Sequence, residues 1–204
     1  MILASASPRR RELLDQLGVE FHVAPTDIDE TPRPGEAPAA YVRRLAFDKA
    51  GAAPAEPGDI VIAADTTVDV DGQILAKPTD TDDARRMLKL LSGRVHRVHT
   101  GTAVRYGGQT LVDVGTTLVK LRPITDSLLD WYIGTGEPMG KAGAYAIQGE
   151  AAVLIDGVQG SITNVIGLPI ALLDTLMVQH GLSLAALANV EPRPVAWLDL
   201  NDGV

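Results

Sequence analysis

IVIAADTTVDVDGQILA, residues 60–76, is the stretch from which the rest of the chain can be ordered. Ile60 to Ala64 is apolar on both parities and rich in β-branched residues, so it predicts a short strand covered on both faces. The strand stops at Asp65. Thr67–Val70 and Gln73–Ala76 then flank Asp71-Gly72, a dipeptide that favours a two-residue hairpin turn. A doubly covered strand running into a hairpin calls for a sheet with helices against it, an α/β fold with a mixed twisted sheet and flanking helices.

Working outward, Ile2–Ser5 predicts a buried strand, and Ser7-Pro8 an N-cap and first-turn proline for a helix ending at Gly18. His22–Pro25 is a second strand. Residues 26–38, with three prolines, read as a loop leading to a helix over Ala39–Ala50. On the other side, Ala84, Met87, Leu88 and Leu91 follow helical spacing behind Asp82 and Asp83. Val95–Tyr106 and Thr110–Leu121 are long strands joined at Gly107-Gly108, and a helix over Asp126–Ile133 follows. Short strands are expected at Ala144–Ile147 and Ala152–Ile155, and a last helix over about Leu168–His180. The expected domain covers residues 1–189, with an acidic tail over 190–204.

Composition narrows the function classes. The 204 residues carry 18 Lys+Arg and 26 Asp+Glu, a formal net charge of −8. Such an acidic chain, with two Phe and two Trp, lacks the basic face and stacking platforms of a nucleic-acid binder. Its most apolar stretch, Val165–Val178, is broken by Pro169 and Asp174, short of the roughly 20 residues a membrane span needs. Zero cysteines exclude disulfides and thiolate metal sites and agree with a cytoplasmic address. Anything phosphorylated must therefore be bound by a local cluster against the global field.

One such cluster is Ser5-Ala-Ser7-Pro8-Arg9-Arg10-Arg11. Arginines in a first helical turn oppose the macrodipole, and a bound phosphate would reverse that sign; solvated arginines are the bland alternative. Asp65, beyond an apolar strand, is placed either to ligate Mg²⁺ and take a proton from water or simply to cap a turn. Asp27, Asp29 and Glu30 make an acidic loop patch. Lys49, near a helix end, and Lys77, held extended by Pro78, are each able to reach a phosphate. Gly134–Lys141 fails as a Walker loop, since no glycine has the required spacing and Ala142 stands where Ser or Thr is needed. His96 and His99, an odd offset apart on a strand, point to opposite faces and do not make a metal pair.

Taken in order, these blocks resemble the Maf family. They are Ala4-Ser5-Ala-Ser7-Pro8-Arg9-Arg10, Glu36 with Tyr41–Ala46, Lys49-Ala50, Ala64-Asp65-Thr66, Lys77-Pro78, Met87–Gly93, Gly136-Glu137-Pro138, Lys141–Gly149 and Asn164–Pro169. The resemblance reaches to about residue 185 and implies two lobes around a central cleft, akin to the inosine triphosphate pyrophosphatases. It implies a nucleoside triphosphate pyrophosphatase that uses Mg²⁺ or Mn²⁺ and forms a homodimer. Ser5, Arg9 and Arg10 then match phosphate-facing positions. Lys49 and Lys77 join them as catalytic cations, Glu30 and Asp65 match the acidic, metal-holding centre, and Asp65 matches the general base.

Base choice follows from Thr66, Gln148 and Arg9. The Gln148 amide can accept from N3–H of uracil or thymine and donate to a neighbouring carbonyl. The family's other branch, resembling 7-methyl-GTP pyrophosphatases, carries Ser-Asp-Gln at residues 64–66 and Glu at 148. The chain is thus similar to the dTTP/UTP branch. The alternatives are a 7-methyl-GTP enzyme and a nucleotide-binding regulator of division without turnover.

Overall fold

The computed structural model describes residues 1–188; the expected tail lies outside them. Among these residues, strands and helices intermix along the chain: β1 (Ile2–Leu3), α1 (Pro8–Gln16), β2 (His22–Val23), α2 (Pro38–Ala52), β3 (Val61–Val70), β4 (Gln73–Leu75), α3 (Thr81–Leu91), β5 (Val95–Tyr106), β6 (Gln109–Leu121), α4 (Asp126–Gly134), β7 (Ile155–Gln159), α5 (Ile162–Ile166), α6 (Ile170–Gln179) and α7 (Leu184–Leu187). The strands form one mixed sheet in the order β2-β1-β3-β5-β6-β7, with β4 also on β3. β1 runs parallel to β2 and β3, and the other pairings are antiparallel.

Asp65 does not end a strand. The ladder with β5 runs unbroken from Val61↔Arg105 to Asp69↔Arg97, carrying the chain straight through Asp65 opposite Gly101. What stops is the other edge of β3. β1 pairs with Val61 and Ile62, β4 pairs with Val68 to Val70, and no described strand covers the residues between. Polar residues at that gap imitate a strand end in the sequence.

The same gap divides the core. Ile62 and Ala64 pack with Leu3 and Leu14 and with Leu173, Leu176 and Met177 of α6. Val68 and Val70 pack instead with Met87, Leu88 and Leu91 of α3 and Leu129 and Tyr132 of α4. Asp65, Thr66 and Thr67 lie between these clusters on β3, with Thr100 and Thr102 buried beside them on β5. The result is two lobes hung on shared long strands with a polar belt between them.

α2 lies across β3, β5 and β6. Gly101 permits the close approach, because a β-carbon there would stand 2.1 Å from the Val42 carbonyl oxygen. The approach puts Lys49, two turns beyond Val42, over Asp65.

Two expected strands are absent. Residues 142–144 and 150–154 form 3₁₀ turns, and the strand comes later, as β7. Gly143 at φ +70° and Ala144 at φ +62° hold left-handed backbone that no strand adopts. Ala151 and Leu154 are buried three residues apart, a 3₁₀ period that the apolar run disguised. The helix expected last is α6, which α7 follows and α5 precedes; α5 is capped by Ser161, whose side chain accepts from Asn164 N–H. Gly167 at φ +126° and Pro169 separate α5 from α6. Among the described residues no helix is long and apolar enough to cross a membrane.

Candidate active site

A cavity of about 750 Å³ opens over the uncovered edge of β3. Ile2 N–H donates to Ile60 O, and Ala4 N–H to Ile62 O, so even-numbered residues aim their backbone groups at this edge. The N–H and C=O of Ala64 and Thr66 therefore face the gap. The start of α1 forms one wall, the Pro25–Pro32 loop and Ala76-Lys77 another, and Met139–Ala142 the rim.

Arg10 anchors the α1 side. The arginine is 8% exposed, and three of its five donors are committed. Nε donates to Gly167 O at 2.7 Å, Nη1 to Ser5 Oγ at 2.8 Å and Nη2 to Thr66 Oγ1 at 3.0 Å. One N–H on each terminal nitrogen remains for a ligand. Burial lowers the guanidinium pKa, and the field of Asp65 opposes that shift. Thr100 gives its hydroxyl proton to Asn164 O at 2.8 Å, so the Thr66 hydroxyl donates to Thr100 at 2.9 Å and accepts from Arg10. Thr66 has no donor left for a base. Ser7 stands at the N-cap position of α1 without a side-chain capping bond.

The acidic centre is clamped by one ammonium. Lys49 Nζ lies 2.6 Å from Asp65 Oδ1 and 2.7 Å from Glu30 Oε1. Lys49 and Asp65 are 7% and 9% exposed. Burial works to raise the Glu30 carboxyl, but the hydrogen bond and charge of Lys49, then Lys77 and Arg10, outweigh it and hold its pKa below the usual value. The loop that delivers Glu30 is tied to α2. Tyr41 OH donates to Glu30 O at 2.9 Å, and the Arg44 fork grips Glu36 at 2.7 and 2.8 Å while reaching Thr31 O. Burial, with Asp65 and Glu30 nearby, pushes the Tyr41 hydroxyl up to about 12, so it stays a donor.

The cleft gathers eight of the nine residues expected of it: Ser5, Arg9, Arg10, Glu30, Lys49, Asp65, Thr66 and Lys77. Gln148 is exposed and outside the lining. Lys141, which the failed Walker spacing gives no role, and Tyr145 do line the cleft. Tyr145 OH meets His96 Nε2 at 2.6 Å, and burial drops His96 to about 4. His99 faces away from this pair, against Thr116 and Asp69. Five cations and two carboxylates leave the cleft at +3 in a chain of −8. A positive, partly desolvated cleft with a buried carboxylate at its floor is a site for a polyanion and for chemistry on it.

The chain belongs to the Maf-like protein family, whose match spans residues 1–180. It is 50% identical over 188 residues to a protein named dTTP/UTP pyrophosphatase in Anaeromyxobacter dehalogenans, covering 90% of this chain and 95% of that one. A protein of the same name in Myxococcus xanthus is 50% identical over 185 residues, 90% of this chain and 94% of the other. Among solved structures, a nucleoside-triphosphatase / dITP/XTP pyrophosphatase from Mycobacterium abscessus aligns over 94% of this chain and 97% of its own at 17% identity and a TM-score of 0.41, too distant a likeness to bear on chemistry.

Proposed function

We propose that this protein hydrolyses dTTP and UTP to the nucleoside monophosphate and pyrophosphate. The observation that carries the reading is the buried Asp65 at the floor of a +3 cleft, in a chain half-identical to proteins named for that activity. Asp65 Oδ1 is held by Lys49, and among the described residues no hydrogen bond falls on Oδ2. Oδ2 is the atom that takes the proton from the attacking water. Lys49 orients that carboxylate, and Arg10, Ser5 and Lys77 hold phosphoryl oxygens around it.

Asp65 and Glu30 converge on one point, and no cluster of three His, Cys, Asp or Glu joins them among the described residues. Two carboxylates completed by substrate phosphate oxygens suit a hard cation such as Mg²⁺ or Mn²⁺. These two residues would hold it, and the ion supplies charge neutralisation at the phosphoryl oxygens when bound. The Thr66 hydroxyl is spent on Arg10 and Thr100, so Thr66 acts by fixing the phosphate-holding Arg10, and Gln148 would have to turn toward the cleft to read the base. The same reading includes a cytoplasmic homodimer.

A panel of canonical and methylated nucleotides, with pyrophosphate and orthophosphate measured separately, tests the reading. Pyrophosphate from dTTP and UTP well above that from 7-methyl-GTP is expected. Orthophosphate as first product, or preference for the methylated base, overturns it.

A further inference from the structure

Of the five cleft cations Lys49 alone has a carboxylate partner among the described residues, and Lys141 and Arg9 lack one although Glu137 is close at hand. Lys141 Nζ donates to the backbone carbonyl of Glu137, not to its carboxylate. That carboxylate is drawn away by three donors: Tyr132 OH at 2.9 Å and Ala151 N–H at 3.0 Å on Oε1, and Glu150 N–H at 2.8 Å on Oε2. Gly149 makes room for it, since a β-carbon there would stand 2.2 Å from Oε2. Arg9, in the first turn of α1, makes no ion pair or hydrogen bond among the described residues. Burial, and then the charge of Arg9, lower the Lys141 pKa against the opposing fields of Glu137 and Glu150, and burial lowers that of Arg9 against the fields of Glu12 and Glu137.

Like charges held half-buried, with carboxylates near but none in contact, cost free energy that a bound anion would offset. A neutral pyrimidine ring brings none. The phosphoryl group under attack belongs at the Asp65–Arg10–Lys77 centre, where Glu30 feels both cations. The most highly charged part of the substrate remains, the terminal two phosphates.

We propose that Lys141 and Arg9 form a second anion subsite at the rim, which takes the departing pyrophosphate end of the substrate. The inference rests on the functional reading above and assigns Lys141 as a binding residue. Glu137 serves as a positioning residue: its carboxylate braces the 149–151 backbone, and its carbonyl aims the ammonium.

Calorimetric titration in metal-free buffer tests this with two probes, inorganic pyrophosphate and dTMP, on the wild type, Lys141→Met and Lys141→Arg. The expected result for Lys141→Met is pyrophosphate binding weakened by about tenfold or more, as for a lost charge-assisted hydrogen bond, with dTMP affinity within about twofold. Lys141→Arg should recover most of the loss, which a merely misfolded rim would not allow. Unchanged pyrophosphate affinity in Lys141→Met, or an equal loss for dTMP, overturns the subsite. If the wild type hydrolyses neither dTTP nor UTP yet Lys141→Met loses pyrophosphate, the functional reading falls and the subsite stands. If the wild type hydrolyses both while pyrophosphate binding is indifferent to Lys141, the subsite falls and the functional reading stands.

Discussion

Asp65→Asn retains shape and a hydrogen-bonding oxygen but removes the proton acceptor, so turnover should fall by roughly 10²–10⁴. Binding of a non-hydrolysable dTTP analogue should change little. Because Lys49 would be left with Glu30 as its one carboxylate partner among the described residues, a melting curve on the same preparation separates lost chemistry from lost fold. Near-normal single-turnover rates would shift the base role to Glu30. Thr66→Val is the complementary probe. It strips Arg10 Nη2 and Thr100 Oγ1 of a partner at once, which should cost about 1–3 kcal/mol of stability, measured by urea denaturation. Its effect on substrate should appear as a raised KM, because the guanidinium fork loses its lock; an unchanged KM would mean that Thr66 does not act through Arg10.

Among the elements, α2 depends most on one neighbour. A methyl at residue 101 would collide with the backbone at Val42 and Arg43, where nothing flexible can yield. Gly101→Ala should therefore cost about 3 kcal/mol or more, or displace α2 and with it Lys49 and Tyr41. Thermal unfolding measures the first outcome and loss of nucleotide binding the second. At this scale most of the fold was legible. The Asp71-Gly72 turn and the α3 periodicity are local signals that became the expected elements, while the β-branched run became the first half of a longer strand. The misreadings arose where tertiary context overrode pattern: β5 carried β3 through its polar middle, left-handed backbone at Gly143 and Ala144 excluded one expected strand, and a 3₁₀ turn over Glu150–Leu154 replaced most of the other. Among site residues, charge and residue type exposed the arginines and carboxylates. The Arg10–Gly167 bond, spanning 157 residues, has no local trace. Lys141 went unrecognised because its meaning depends on what Glu137 is bonded to.

At the scale of the whole molecule, His96 links stability to pH. Buried beside Tyr145, it titrates near 4 in the folded chain against about 6.5 unfolded. Between those values the unfolded chain binds the extra proton, so stability is full above about pH 6.5 and declines as pH falls toward 4. The loss should approach about 3 kcal/mol, superimposed on other groups, and His96→Gln should flatten that segment of a denaturation-versus-pH curve. An unaltered slope would mean that His96 is solvated in solution.

The uncovered edge of β3 gives its residues two different lifetimes against solvent. Amides of Ala63, Asp65 and Thr67 are directed into the β5 ladder, while those of Ala64 and Thr66 point to the edge that no described strand covers. In deuterium exchange the middle of one ten-residue strand should show a period of two, with slow odd residues and fast even ones. A nucleotide seated against that edge would erase the alternation. The notch in the sheet thereby serves as a built-in reporter of occupancy, readable one amide at a time.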